Sequence, residues 1–311
     1  MYKESILECQ KKIRPFIHKT PILTSQLINE IVGANLFFKC ENFQKMGAFK
    51  MRGAINAITK LTDQEKSKGV VTHSSGNFAQ AVSLASKTLG VTAHIVMPSS
   101  APKVKQEAVM GYGGRITICE PTLKARKFEA NKIVQEIGAT FIHSSDDIDV
   151  IIGNSTVGLE LIEEHPNLDY IFTPVGGGGL LAGTVLSAHY FGNNCKVIGG
   201  EPFEVDDAYR SLKSGKIETN STTNTLADGL KTELGKVNFP IIQKYVNSII
   251  RVTEDDIIVA MRLIWERMKI IIEPSSAVAF AAVLKEKEHF KKKKIGVILS
   301  GGNVDVAKLP F

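Results

Sequence analysis

Eight short, apolar, β-rich runs alternate with helix-length segments along this chain, and that alternation limits the fold more than any other feature. The runs are LFFKC (36–40), GVVTH (69–73), HIVMP (94–98), RITIC (115–119), TFIHS (140–144), YIFTPV (170–175), KVIGG (196–200) and IGVILS (295–300). Strands that are apolar on both faces belong inside a mostly parallel sheet covered by the intervening helices. The class is therefore α/β, doubly wound. At 311 residues, against a usual domain size of roughly 100–200, two domains are expected. The least regular stretch, about 203–248 with NSTTNT at 220–225, reads as a long excursion near a site.

Composition excludes several classes. With 43% hydrophobic and 23% charged residues, the chain has the makeup of a soluble globular protein. The net charge of +6 is spread along the chain and suits small anionic ligands. Its one dense run, KKKK at 291–294, lacks interleaved aromatics, so it reads as solvated surface and no nucleic-acid partner is expected. Cys9, Cys40, Cys119 and Cys195 show no CxxC spacing and the histidines no HExxH, which leaves a zinc site or disulfide framework without support. The charged N-terminus MYKESILECQKKIRPF has no signal-peptide core, and no apolar run approaches the roughly 18 residues of a membrane span. A cytoplasmic location and no membrane partner are expected.

In open parallel sheets ligands lie beyond the carboxyl ends of strands, and three glycine-bearing turns fall there. In TPVGGGGLLAG (173–183) four consecutive glycines separate a strand from a helix. Successive N–H groups and the helix dipole then converge on a phosphate, whereas a tight turn needs only one or two glycines. In THSSGNFAQAV (72–82), Ser74, Ser75 and Asn77 open a helix and suit a carboxylate, although an ordinary helix cap is an equal reading of that turn alone. In ILSGGN (298–303), Ser300 ends a strand, where its hydroxyl could bond a ring nitrogen; alone, it reads as a strand-ending turn.

The stretch GAFKMRGA (47–54) holds Lys50 among Phe49, Met51 and small residues. Desolvation there would lower its pKa and make its amine a nucleophile able to form an imine, although on this stretch alone a lysine that buries its stem and leaves its charge in solvent is the favoured reading. A desolvated lysine, a phosphate cradle, a carboxylate-binding turn and a hydroxyl for a ring nitrogen together suit pyridoxal 5′-phosphate and an amino acid. A rival reading uses the same glycines: Gly177, Gly179 and Ala182 match G-x-G-x-x-A and Glu201 closes the next strand, as in a nicotinamide-dependent dehydrogenase. That reading leaves Lys50 and the SSGN turn unexplained.

Nearly end to end, the sequence resembles the fold-type II pyridoxal-phosphate enzymes of tryptophan synthase β-like fold, specifically the serine racemase and serine/threonine dehydratase group. The likeness runs through HKTPILTSQL (18–27), FFKCENFQKMGAFKMRGAINA (37–57), THSSGN (72–77), PVGGGGLLAG (174–183), GEPFEVDDAYRS (200–211), LADGL (226–230), WERMKIIIEP (265–274) and LSGGNVD (299–305). The resemblance implies that Lys50 holds the cofactor with Phe49 beside its ring. It implies that Asn77 bonds the ring's phenolic oxygen, that Gly176, Gly177, Gly178 and Gly179 hold the phosphate, and that Ser300 faces the pyridine nitrogen. Leu180, Gly229 and Glu273 complete the implied cofactor site. Ser75 resembles the second catalytic residue, on the cofactor face opposite Lys50. Ser74, Ser75, Asn77 and Arg126 are implied for the substrate. Glu201, Asp207 and the carbonyl of Val205 match a divalent-metal site for Mg²⁺, Ca²⁺ or Mn²⁺; a plain helix start at Asp206 and Asp207 is the bland alternative.

By resemblance the protein is a homodimer with serine racemase activity giving D-serine, and with serine dehydratase activity giving pyruvate and ammonia. L-threonine and 3-hydroxyaspartate dehydration are the alternatives, a nucleotide is a possible effector, and a non-catalytic regulator that binds cofactor or amino acid is a further reading. The implied large domain is 1–64 with 146–311 and the small mobile one is 65–145. Three departures leave substrate size and polarity open: Phe78 where the group has histidine, IGNST (152–156) for AGQGT, and Ser144 for proline.

Overall fold

The computed structural model describes residues 2–311. Among the described residues ten strands form two sheets: β1 (Ile22–Leu23), β2 (Asn35–Cys40), β3 (Val70–His73), β4 (Ala93–Pro98), β5 (Arg115–Cys119), β6 (Thr140–Phe141), β7 (Tyr170–Pro174), β8 (Lys196–Pro202), β9 (Ser248–Val252) and β10 (Lys294–Leu299). The larger sheet has the order β1-β2-β10-β7-β8-β9 and the smaller β5-β4-β3-β6. All pairings are parallel except β1 with β2, where Ile22 faces Lys39.

The eight runs read as strands are strands, with two edge elements added. β1 and β9 escape a periodicity reading because one has two residues and the other, SIIRV, is broken by Ser248 and Arg251. TFIHS shortens to Thr140–Phe141 because the chain turns at His143, whose Nδ1 accepts from the amides of Ser145 (3.3 Å) and Asp146 (2.9 Å). The stretch 203–248 is less irregular than its composition implies, since it holds helices Asp207–Ser214 and Phe239–Tyr245.

Central strands are covered on both faces, as parallel sheets require: β7 is buried from Ile171 to Pro174 and β10 from Ile295 to Leu299. Three helices lie close together against the site: Lys50–Lys60, Ile148–Glu164 and Gly179–Phe191. Glycine permits that approach. A Cβ on Gly153 would lie 2.6 Å from Gly53 Cα, and one on Gly183 would lie 2.8 Å from the Ile151 carbonyl oxygen. Among the described residues no helix is long and apolar enough to cross a membrane.

Candidate active site

Every turn singled out in the sequence leaves the carboxyl end of a strand: Ser74–Asn77 after β3, the four glycines after β7, Glu201 at the end of β8 and Ser300 after β10. Lys50 begins its helix next to this rim, because Ala48 bridges Gly301 and the Phe49 amide donates to the Ser300 carbonyl at 3.0 Å. Its Nζ donates to the Ser144 carbonyl at 2.8 Å and lies 4.9 Å from the Phe49 ring centroid and 5.6 Å from that of Phe78. Burial brings the amine down from 10.5 to about 8, and the nearby Glu273 charge only partly opposes this.

The glycine turn is built around space too small for side chains. A Cβ on Gly176 would sit 2.7 Å from Leu230 Cα, one on Gly177 2.4 Å from Ser145 Oγ, and one on Gly179 2.9 Å from Ser145 Cα. Gly178 has φ +79°, which only glycine adopts without strain, and it opens helix Gly179–Phe191 with Leu180 buried behind it. Asn238 pins the turn, donating to Gly177 O at 2.8 Å and Ser145 O at 3.0 Å. Gly229 reaches the turn through its neighbour Leu230, while its own amide donates to Ser275 Oγ at 3.0 Å. The result is a cradle of backbone N–H groups at a helix N-terminus, which fits a phosphate.

Beside Lys50, through Phe78, helix Asn77–Thr88 starts at Gly76 with no side-chain cap, so Ser74, Ser75 and Asn77 do not make the usual capping bond. Asn77 Nδ2 donates to both oxygens of Glu273 at 2.9 and 3.1 Å, and its Oδ1 accepts from Asn303 Nδ2 at 2.9 Å. Burial pushes the Glu273 carboxyl up to about 7, against the hydrogen bond from Asn77. Ser300 is buried at its strand end, and Ser74 and Ser75 are half-buried.

Arg126 lies on helix Leu123–Ile137 beside His73, two residues before Ser75. Its buried Nε has no partner, and its charge joins burial and His143 in lowering the His73 imidazole to about 4.

Glu201 and Asp207 form a second cluster that shares no hydrogen-bond partner with Lys50. Both carboxylates are fully buried, and among the described residues neither takes part in an ion pair; Asp206 instead pairs with Arg210 and Arg251. Glu201 accepts from the amides of Ala208 (2.9 Å) and Tyr209 (2.8 Å), so it, and not Asp206, serves the start of helix Asp207–Ser214. Asp207 accepts from Asn220 Nδ2 (2.6 Å) and Leu234 N (3.0 Å). Burial, then the Asp207 charge, pushes Glu201 well above the carboxylate range, and burial raises Asp207 to about 6. Two adjacent buried carboxylates with lone pairs to spare and no basic partner fit a hard divalent cation.

Sequence reasoning missed Asn303, Asn238 and the Ser144 carbonyl. Asn303 lies inside the SGGN turn and was overlooked there, while nothing local marks Asn238, which reaches the site only through the packing of helix Phe239–Tyr245.

The fold and this rim of groups define a pyridoxal-phosphate enzyme of fold-type II: residues 13–301 match the family model described as pyridoxal-phosphate dependent enzyme, and the chain belongs to that family. Within it, the chain is 52% identical over 310 residues to the serine racemase of Dictyostelium discoideum, covering 98% of this chain and 96% of that protein. It is 44% identical to the beta-hydroxyaspartate dehydratase of Paracoccus denitrificans, covering 99% and 98% of the two chains. The solved structure of a processed threonine deaminase isoform from Solanum lycopersicum superposes with TM-score 0.95 at 32% identity, covering 99% and 90%.

Proposed function

We propose that the chain racemises L-serine to D-serine and also eliminates water from it to give pyruvate and ammonia. The observation that carries this reading is the desolvated Lys50 amine, held between Phe49 and Phe78. The 52% identity to a serine racemase supports the choice of substrate. When bound, pyridoxal phosphate supplies an electron sink that acidifies the substrate's Cα–H bond.

The chain's own residues supply the rest. Backbone amides of Gly176, Gly177, Gly178 and Gly179 would hold the phosphate, with Leu180 and Gly229 behind them. Asn77, oriented by Glu273 and Asn303, would bond the phenolic oxygen, Ser300 would face the ring nitrogen, and Phe49 would pack beside the ring. Lys50 Nζ takes or returns the α-proton on one face and Ser75 Oγ on the other, so racemisation uses both while elimination from L-serine needs Lys50 alone. Ser74, Asn77 and Arg126 orient the substrate, and the unpartnered Nε of Arg126 leaves a donor free for that role.

Glu201, Asp207 and the Val205 carbonyl would hold Mg²⁺, or Ca²⁺ or Mn²⁺ in its place. The small domain is 65–145, which holds every strand of the smaller sheet, and the large domain is 1–64 with 146–311. Closure of the small domain over the substrate excludes water; the Lys105–Asp228 ion pair, at 2.6 Å, joins the two beside Gly229. Resemblance supports a homodimer and a nucleotide effector, and four free cysteines support a cytoplasmic setting.

The second reading is dehydration of 3-hydroxyaspartate or L-threonine, favoured by the 44% relative. The test is incubation of cofactor-loaded protein with L-serine and Mg²⁺, with D-serine followed by chiral separation alongside pyruvate. D-Serine supports the two-face reading, and its loss in Ser75→Ala with pyruvate retained supports the role of that serine. Pyruvate alone makes the enzyme a dehydratase. Absence of D-serine and pyruvate from serine, together with absence of the corresponding 2-oxoacids and ammonia from threonine and hydroxyaspartate, overturns catalysis in favour of a regulator.

A further inference from the structure

Two residues after Lys50 the same helix carries Arg52, which a rotation of about 200° turns to the opposite side, into the protein interior. All five of its N–H donors are engaged. Nε and Nη2 bond the two oxygens of Glu41 at 2.8 Å each, and Nη1 and Nη2 bond the two oxygens of Glu160 at 2.8 Å each. Nη1 also donates to Thr156 Oγ1 at 3.1 Å. Lys39 completes the cluster, donating to Glu160 Oε2 at 2.6 Å and to the Thr20 carbonyl at 2.8 Å. Thr20 Oγ1 closes it on Glu41 at 2.5 Å. Every member is buried, and the two cations balance the two carboxylates.

The cluster ties five segments together: the stretch before β1 through Thr20, β2 through Lys39, the turn after it through Glu41, helix Ile148–Glu164 through Thr156 and Glu160, and the helix of Lys50. That last helix otherwise starts weakly. Its N-cap, Phe49, makes no side-chain capping bond, and the first turn is held from outside mainly by the Phe49 amide on Ser300 O. Apolar residues of similar volume would stabilise the interior as well as buried ions do, so what the ions add here is direction. A guanidinium locked to two carboxylates fixes both the rotation and the height of its helical turn.

We propose that Arg52 is a positioning residue for Lys50: its double fork stands in for the missing cap and fixes the direction in which the Lys50 amine leaves the helix. The inference rests on the reading of Lys50 as the residue that holds the cofactor. The effect is geometric, because the cluster carries no net charge and the basicity of Lys50 follows from burial and Glu273.

The test compares wild-type holoenzyme with Arg52→Lys, which keeps the charge and loses the fork, and with Glu160→Gln. The expected result is a fall in kcat of about 10- to 100-fold with KM within about twofold, as for a misplacement on the ångström scale. Hydrogen exchange of the peptide spanning 50–54 rises about tenfold, while helices Asn77–Thr88 and Gly179–Phe191 keep their protection. Arg262→Lys, on the exposed Arg262–Glu266 pair, changes neither quantity. If Arg52→Lys does not accumulate folded, Thr156→Val, which removes one of the five bonds, decides: a local rise in exchange at 50–54 supports the proposal and none overturns it. Folded variants with wild-type kcat and first-turn exchange overturn it, and so does a uniform rise across all helices, which marks a purely structural role. Lys50→Ala separates the two readings, since retention of cofactor absorbance and activity there removes the role of Lys50 itself and Arg52's with it.

Discussion

Capture of pyridoxal phosphate by the cofactor-free protein should follow the titration of one amine. A lysine of ordinary basicity, 10.5, is free base in about 0.03% of molecules at pH 7; at about 8 the free fraction is about 9%, a gain of about 300-fold in competent nucleophile. Burial causes the shift, and because the charged form is the one disfavoured, the reactive population grows as pH rises to 8 and is complete above it. Glu273 works the other way: its charge, gained as pH passes about 7, favours the ammonium. Stopped-flow mixing with pyridoxal phosphate from pH 6 to 10.5, read by visible absorbance, should give a rate rising about tenfold per pH unit and levelling near 8. Glu273→Gln should move the midpoint lower. A rate still climbing past pH 10, or a midpoint moved upward in Glu273→Gln, would refute the desolvation argument.

Gly179→Ala places a Cβ 2.9 Å from both Ser145 Cα and its carbonyl oxygen, backbone atoms that no rotamer change relieves. A cost of about 1–3 kcal/mol should weaken cofactor binding by about 5- to 150-fold in a fluorescence titration, and wild-type affinity would contradict the cradle. Lys105→Ala removes an ion pair with side chains 31% and 52% exposed, worth up to about 1 kcal/mol. KM for L-serine should rise about two- to fivefold, and an unchanged KM would dissociate this pair from closure. Chelator-treated holoenzyme should gain several degrees in Tm with millimolar Mg²⁺ or Ca²⁺, with Asp207→Asn abolishing the gain. Melting indifferent to both cations would remove the metal from the Glu201–Asp207 cluster.

Much of the site was legible because its chemistry requires residue types that are rare in combination. Four glycines in a row have few uses other than close approach to a ligand, whereas Lys50 among Phe49, Met51 and glycines gained meaning only in combination with the other turns. The glycine signal is local, and its turn lies where the parallel-sheet pattern placed it, after β7. The helix-cap reading of Ser74, Ser75 and Asn77 was undecidable in sequence, since the same residue types serve both purposes; in the structure Gly76 takes the cap position, and Ser74 Oγ accepts from its amide at 3.4 Å. Asp206 and Asp207 were ambiguous for the same reason, and the helix start proved to be served by Glu201, several residues earlier in the chain.

The sequence by itself determined the alternation of strands and helices, the turns that border the site and the lysine among apolar neighbours, because each depends on residues within one turn or one strand. Tertiary structure alone decided the partners. Glu273 reaches Asn77, Asn238 pins the glycine turn, and Glu41 and Glu160 close on Arg52, each across many residues of chain. Such pairings leave no periodic trace. A buried polar group must find a partner wherever the packing of distant elements brings one, and that packing is a property of the whole core.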